Sequence, residues 1–264
     1  MTWSAFLRWS FLSGVMALAG YSPAASAPSG LPAGFVYLDD IDPTIVQDIR
    51  YAGALNFVGR PIAGYEAAEC VLTEKAARAL AKVQAQLAAK ALSLIVWDCY
   101  RPTRATTDFI HWTKDEYDTK MKAEFYPRID KSQIFARGYL STRSAHSRGS
   151  TVDLGIAPRG AKIPHRDQAA KLVSCIAGNS VRFADGALDF GTGYDCMDEL
   201  SATTHPGVSA EARRNRLMLH DLMVASGFKP YRREWWHFEL IDEPFPSQSF
   251  DFPIRPRKKP KSPS

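Results

Sequence analysis

Two short segments of this chain carry residue types that could bind a metal ion and move a proton. One is Ser144-Ala145-His146-Ser147-Arg148-Gly149-Ser150-Thr151-Val152-Asp153, and the other is Glu234-Trp235-Trp236-His237-Phe238-Glu239. His146, Asp153 and His237 supply two imidazoles and a carboxylate. That donor set suits one zinc ion and leaves a fourth position for water, as catalytic rather than structural sites do. Gly149 lies between His146 and Asp153 and can turn the chain so that both side chains converge. Glu234, three residues before His237, is placed to reach a water at the fourth position without being a ligand. It could take a proton there and later hand it to a leaving amine. No HExxH helix occurs, so the common metalloprotease motif is absent. Spacing alone leaves a plainer alternative open, with His146 an ordinary histidine and Trp235-Trp236 simply core.

These residues need elements to hold them. Thr73 is suited to cap a helix running to about Lys90, whose Ala76, Leu80, Val83 and Leu87 form one apolar stripe. Ser93–Asp98 (SLIVWD) reads as a buried strand, followed by a loop with Tyr100-Arg101-Pro102 and a helix to about Trp112. Residues 113–142 read as a polar excursion with a short helix. Residues 211–226 form another helix, with Leu217, Leu222 and Ala225 inside and Gly227 as its stop. In Trp235–Leu240, Trp236, Phe238 and Leu240 face one way and His237 and Glu239 the other, as in a half-buried strand. Helices and strands mix without a βαβ rhythm. The expected class is a single α+β domain, a largely antiparallel central sheet flanked by helices with the zinc site at its face.

The 264 residues suffice for one large domain, and 45% hydrophobic with 23% charged residues exclude a fibrous or wholly disordered chain. The net charge of +5 is not spread over the body: residues 28–254 hold 27 basic and 28 acidic side chains. Nucleic-acid binding by the domain is therefore excluded. Residues 1–27 combine one charge, Arg8, with a short apolar run and the small-residue ends Ala25-Ser26-Ala27 and Pro23-Ala24-Ala25, the layout of a secretory signal peptide. The run is too short to span a bilayer, so no membrane span is expected after cleavage. The protein is expected in the periplasm or secreted. Residues 255–264 read as a disordered basic tail able to contact anionic envelope surfaces.

Four cysteines in an exported chain are read as disulfides. Cys70, Cys99, Cys175 and Cys196 allow three pairings. A helix from Thr73 carries the chain out by roughly 25 Å. About eight residues of extended chain bring it back by roughly 26 Å, which sets Cys99 near Cys70. Cys175 and Cys196 enclose a short Gly-rich segment and form the second pair. Four reduced, buried thiols are the alternative.

Taken together, the two motif segments resemble the zinc D-alanyl-D-alanine peptidases, with Thr151 where that family has Ala. The VanX-type dipeptidase branch is the closer match, over nearly the whole body. Asp48-Ile49-Arg50-Tyr51-Ala52, Trp97-Asp98-Cys99-Tyr100-Arg101-Pro102, Gly191-Thr192-Gly193-Tyr194-Asp195 and Ser249-Phe250-Asp251-Phe252-Pro253 resemble its further signatures, in order. The resemblance implies one zinc per chain on His146, Asp153 and His237, Glu234 as general base and acid, and Arg101 steadying the oxyanion. It implies that Asp195 and Tyr51 receive the substrate's free amino end, with Ser144 lining the same pocket. The implied substrate is a small dipeptide, D-Ala-D-Ala, in cell-wall peptide metabolism. Two other readings stay in view: a D,D- or L,D-carboxypeptidase trimming longer wall peptides, and a wall-binding module that has lost catalysis. His111 and His220 read as solvated helix residues, His165 as a loop residue and His205 as no metal ligand. Glu239 reads either as a hydrogen-bond partner of a ligand or as a plain strand carboxylate.

Overall fold

The computed structural model describes Met1 and residues 30–164, 166 and 171–257. Apart from Met1, the apolar leader lies outside the described residues, as do His165 and positions 258–264 of the tail. Among the described residues no helix is long and apolar enough to cross a membrane.

The chain opens with strand β1 (Phe35–Tyr37), a single turn α1 (Leu38–Ile41) and strand β2 (Val46–Gln47). After β3 (Val71–Thr73), helix α2 (Glu74–Ala88) leads into β4 (Leu92–Asp98). The Thr73 hydroxyl caps α2 by accepting from the Ala76 amide at 3.4 Å. Ala76, Leu80, Val83 and Leu87 are buried, as the stripe requires. Each large aliphatic buried this way contributes about 1.5–3 kcal/mol. Helix α3 (Thr103–Lys114) and the short α4 (Lys122–Phe125) follow. Lys131 fastens the polar excursion: its buried ammonium donates to the Asp115 and Asp118 carbonyls at 2.6 and 2.9 Å and lies 4.0 Å from the centre of the Trp112 ring.

Strand β5 (Thr151–Pro158), helix α5 (Ala210–Ala225), β6 (Phe228–Pro230) and β7 (His237–Leu240) complete the chain. The five-stranded sheet runs β2-β4-β5-β7-β6, with β2–β4 parallel and the other neighbours antiparallel; β1 and β3 form a separate pair. The α+β class with a largely antiparallel sheet is as expected. The buried face of α5 is not. Leu217 is 44% exposed, and Ala212, Arg216, Leu219 and Met223 line the inside instead. An arginine at the centre of the stripe hides the period. Arg216 is buried because its guanidinium donates to the Phe190 and Ala202 carbonyls at 2.7 and 2.6 Å.

Both expected disulfides are present, Cys70–Cys99 and Cys175–Cys196, with Cα separations of 5.4 and 5.6 Å. The C-terminal segment straps back over β1: Phe250 and Phe252 pack against Phe35, and Ile254 is buried beside Tyr65. Two cations read as belonging to the tail meet acids of the body, Arg255 with Glu66 and Arg257 with Asp39 and Asp40.

Candidate active site

Strand register assembles the site. Asp153 in β5 pairs with Asp98 at the end of β4 on one side and with His237 at the start of β7 on the other. Three adjacent strands thus put three polar side chains in a row at one end of the sheet. His146 arrives from a 3-10 turn, Ala145–Arg148, that ends at Gly149 with φ +81°. A Cβ there would lie 2.2 Å from the Phe35 ring, so both backbone angle and contact demand glycine.

The three donor atoms converge. His146 Nε2 lies 3.3 Å from Asp153 Oδ1 and 3.3 Å from His237 Nδ1, and His237 Nδ1 lies 3.0 Å from Asp153 Oδ1. His146 Nδ1 donates to the Cys99 carbonyl at 2.8 Å, which leaves the Nε2 lone pair free to face the cluster. Burial works against ionising Asp153, yet the two imidazoles hold its carboxyl well below the usual range. Burial also pushes the His237 imidazole down, and Asp153 only partly offsets this. An ionised carboxylate beside an imidazole that disfavours its proton is what a cation needs. Among the described residues, His146, Asp153 and His237 form the group able to hold a metal ion.

Glu234 stands beside this group. Its Oε2 lies 3.8 Å from His237 Nδ1, outside the converging set. Burial, reinforced by Asp153 and Asp195, pushes its carboxyl well above the usual range against the pull of Arg101, which favours its holding a proton. Arg101 donates from Nε to Asp98 Oδ2 at 2.9 Å, pairs with the same oxygen through Nη2 at 2.7 Å, and donates from Nη1 to Ser144 Oγ at 3.4 Å. Nη2 is 3.8 Å from Asp153 Oδ2, and the guanidinium lies over the Tyr51 and Phe109 rings.

Tyr51, on the 3-10 turn Arg50–Ala52, donates its hydroxyl to Asp195 Oδ2 at 2.7 Å. Asp195 is half-buried and lines the cavity. Burial raises its carboxyl to about 7 although the Tyr51 hydrogen bond lowers it. All eight candidate catalytic, metal and substrate residues line one cavity of about 280 Å³. A larger cavity of about 560 Å³, beside Arg50 and Arg166, shares none of them.

Asp98 is a site residue that sequence reasoning missed. Fully buried, it accepts from Tyr65 at 2.6 Å, the Cys99 amide at 2.9 Å and Arg101, and its Oδ2 lies 3.4 Å from His146 Nδ1. The signal was available: a carboxylate closing an apolar strand must find partners, and Arg101 follows three residues later. Tyr194, whose hydroxyl donates to Asp153 Oδ2 at 3.1 Å, was likewise missed. Glu239 pairs with Arg148 and Lys229, and no bond to His146, Asp153 or His237 is among its contacts. His205 accepts from the Gly207 amide at 3.0 Å and lies outside the metal group, His111 is exposed, and His220 pairs with Asp221.

The chain matches the peptidase family model described as D-ala-D-ala dipeptidase over residues 32–163 and 180–255. It is 36% identical over 221 residues to a D-alanyl-D-alanine dipeptidase of Enterococcus faecalis, covering 84% of this chain and 98% of that protein. It is 35% identical over 220 residues to one of Streptomyces coelicolor, with 83% and 98% covered. To one of Escherichia coli it is 31% identical over 200 residues, with 76% and 81% covered. The stretch between the two matched segments carries Cys175, so its bridge to Cys196 ties that stretch to the loop of Asp195.

Proposed function

The chain belongs to the D-Ala-D-Ala dipeptidase family, and from that premise we propose that it is a zinc metallopeptidase splitting D-alanyl-D-alanine into two D-alanines. The convergence of His146, Asp153 and His237 with Glu234 alongside carries this reading. Four-coordinate zinc with bonds of about 2.0–2.1 Å sets its ligand atoms roughly 3.3 Å apart. The donor separations of 3.0–3.3 Å in this chain fit that ion.

A bound zinc ion supplies Lewis acidity, polarising the peptide carbonyl and making water nucleophilic near neutral pH. The chain's own residues do the rest. Glu234 takes a proton from the attacking water as its oxygen bonds to the carbonyl carbon. It delivers that proton to the departing nitrogen as the C–N bond breaks. Arg101, pinned by Asp98, faces the carbonyl oxygen as it gains charge. A fixed donor of this kind needs no reorganisation in the transition state and is worth about 10²–10³ in rate. Asp195 and Tyr51 receive the substrate ammonium, and Ser144 shapes the wall between them and His146. A longer peptide has no ammonium at that position and leaves the buried Asp195 unpaired, which favours the dipeptide.

The leader sequence and two disulfides support an oxidising location, periplasmic or secreted, and so a role in turnover of wall-derived D-Ala-D-Ala. The test is to follow D-alanine release from D-Ala-D-Ala by the zinc-loaded protein, with metal analysis of wild type and His237→Ala. Release that a chelator stops and zinc restores, with zinc missing from the variant, is expected. No release, or equal zinc in both proteins, would overturn the reading.

A further inference from the structure

A dipeptide with both ends free is a zwitterion, and its carboxylate needs recognition as much as its ammonium does. The cavity is poorly suited to an anion at first sight, because Asp153, Asp195, Glu234 and Glu239 all line it. Against them stand two arginines among the lining residues, Arg101 and Arg143. Arg101 is buried and committed, with Nε and Nη2 on Asp98 and Nη1 on Ser144. Arg143 differs. It is exposed on the cavity wall, and its guanidinium has no ion pair or hydrogen bond with the described residues. Its backbone is nevertheless held: the Ser141 hydroxyl accepts from the Arg143 amide at 3.2 Å and donates to its carbonyl at 3.0 Å. Two residues on, Ala145 begins the turn that carries His146.

We propose that Arg143 is the specificity residue that receives the free carboxylate of the dipeptide, an assignment that rests on the dipeptidase reading. The two ends of the substrate are then read by different segments, the ammonium by Asp195 and Tyr51 and the carboxylate by Arg143 in the loop before His146. A dipeptide spans about 7 Å at 3.3–3.6 Å per residue, so its ends fall within one small cavity. The planar fork of a guanidinium matches a carboxylate with two parallel hydrogen bonds, and the amide of the same dipeptide cannot reproduce that pairing.

The experiment compares D-Ala-D-Ala with its C-terminal amide. Both are titrated by calorimetry into zinc-loaded Glu234→Gln protein, with and without Arg143→Ala, and both are assayed kinetically on the active forms. Arg143→Ala is expected to weaken D-Ala-D-Ala binding about 10–100-fold, the size of a charge-assisted pair, and to raise KM correspondingly. The wild type should disfavour the amide by a similar factor, and Arg143→Ala should leave amide binding within about twofold. Arg143→Lys should keep part of the discrimination, which a merely structural role would not produce. Equal loss for dipeptide and amide, or no loss for the dipeptide, would overturn the assignment. Wild type that cleaves neither, with Glu234→Gln protein that binds neither, would instead remove the dipeptidase reading and this inference with it.

Discussion

Replacing Asp195 by Asn should make the protein more stable and nearly inactive. Asp195 sits at φ +60°, a left-handed conformation that Asn tolerates as well as Asp, so the change adds no backbone strain. The Tyr51 hydroxyl keeps an oxygen to donate to. What disappears is a carboxyl whose burial raises it from 3.8 to about 7. The folded protein then holds a proton that the unfolded chain releases between those values. Stability from this group is full below about pH 3.8 and is lost as pH rises to about 7. At 1.36 kcal/mol per pH unit, the ionised form carries a penalty of up to about 4 kcal/mol above pH 7, which pocket water reduces to about 2–4 kcal/mol. Denaturant unfolding of chelator-treated wild type and Asp195→Asn should therefore show the variant about 2–4 kcal/mol more stable at pH 8 and equal to wild type at pH 4. On D-Ala-D-Ala the same variant should lose about 10²-fold or more in kcat/KM, because the substrate ammonium loses its charged partner. A variant less stable than wild type at pH 8, or a difference that does not change with pH, would refute the argument.

Glu234→Ala should keep stoichiometric zinc while losing about 10²–10⁴ in turnover; wild-type rate in a metal-replete variant would contradict its proton-transfer role. Arg101→Ala should lower kcat about 10²–10³-fold and also destabilise the fold, because the buried Asp98 charge loses its cation. Adding Asp98→Asn should restore stability without restoring rate, as paired unfolding and kinetic measurements would show. Reducing the disulfides should cost activity before global unfolding, because Cys99 supplies the carbonyl that orients His146 and Cys196 adjoins Asp195. The bridges close separations of 29 and 21 residues, and each contributes roughly 3–4 kcal/mol. Activity that outlasts reduction until the protein unfolds would remove the anchoring role.

Local features of this chain were legible where one short-range constraint dominates. Thr73 caps its helix, Gly149 takes the left-handed turn before β5, and the helix out and strand back bring Cys70 to Cys99. The convergence of His146, Asp153 and His237, with Glu234 beside them, was legible because these residues lie in two compact motifs. The row Asp98–Asp153–His237 was not, since it exists only through strand pairing between residues far apart in sequence. Asp98 closes a run that reads as ordinary buried strand; Cys99 and Arg101 are its neighbours in sequence, while Tyr65 comes from a separate segment. Helix α5 misled for a different reason: a buried arginine interrupts the apolar period, and the backbone carbonyls that make its burial tolerable are invisible to a pattern of residue types.

The hydrogen-bonded pair of Tyr51 and Asp195 is proposed to receive a free amine next to the scissile bond. The most direct test is D-alanine release by the zinc-loaded protein from D-Ala-D-Ala, from its N-acetyl form and from a wall pentapeptide, measured side by side. The dipeptide should be cleaved at least about tenfold faster than either, the penalty for leaving a buried carboxylate unpaired. Release of terminal D-alanine from the pentapeptide as fast as the dipeptide is split would contradict the account and make the protein a carboxypeptidase.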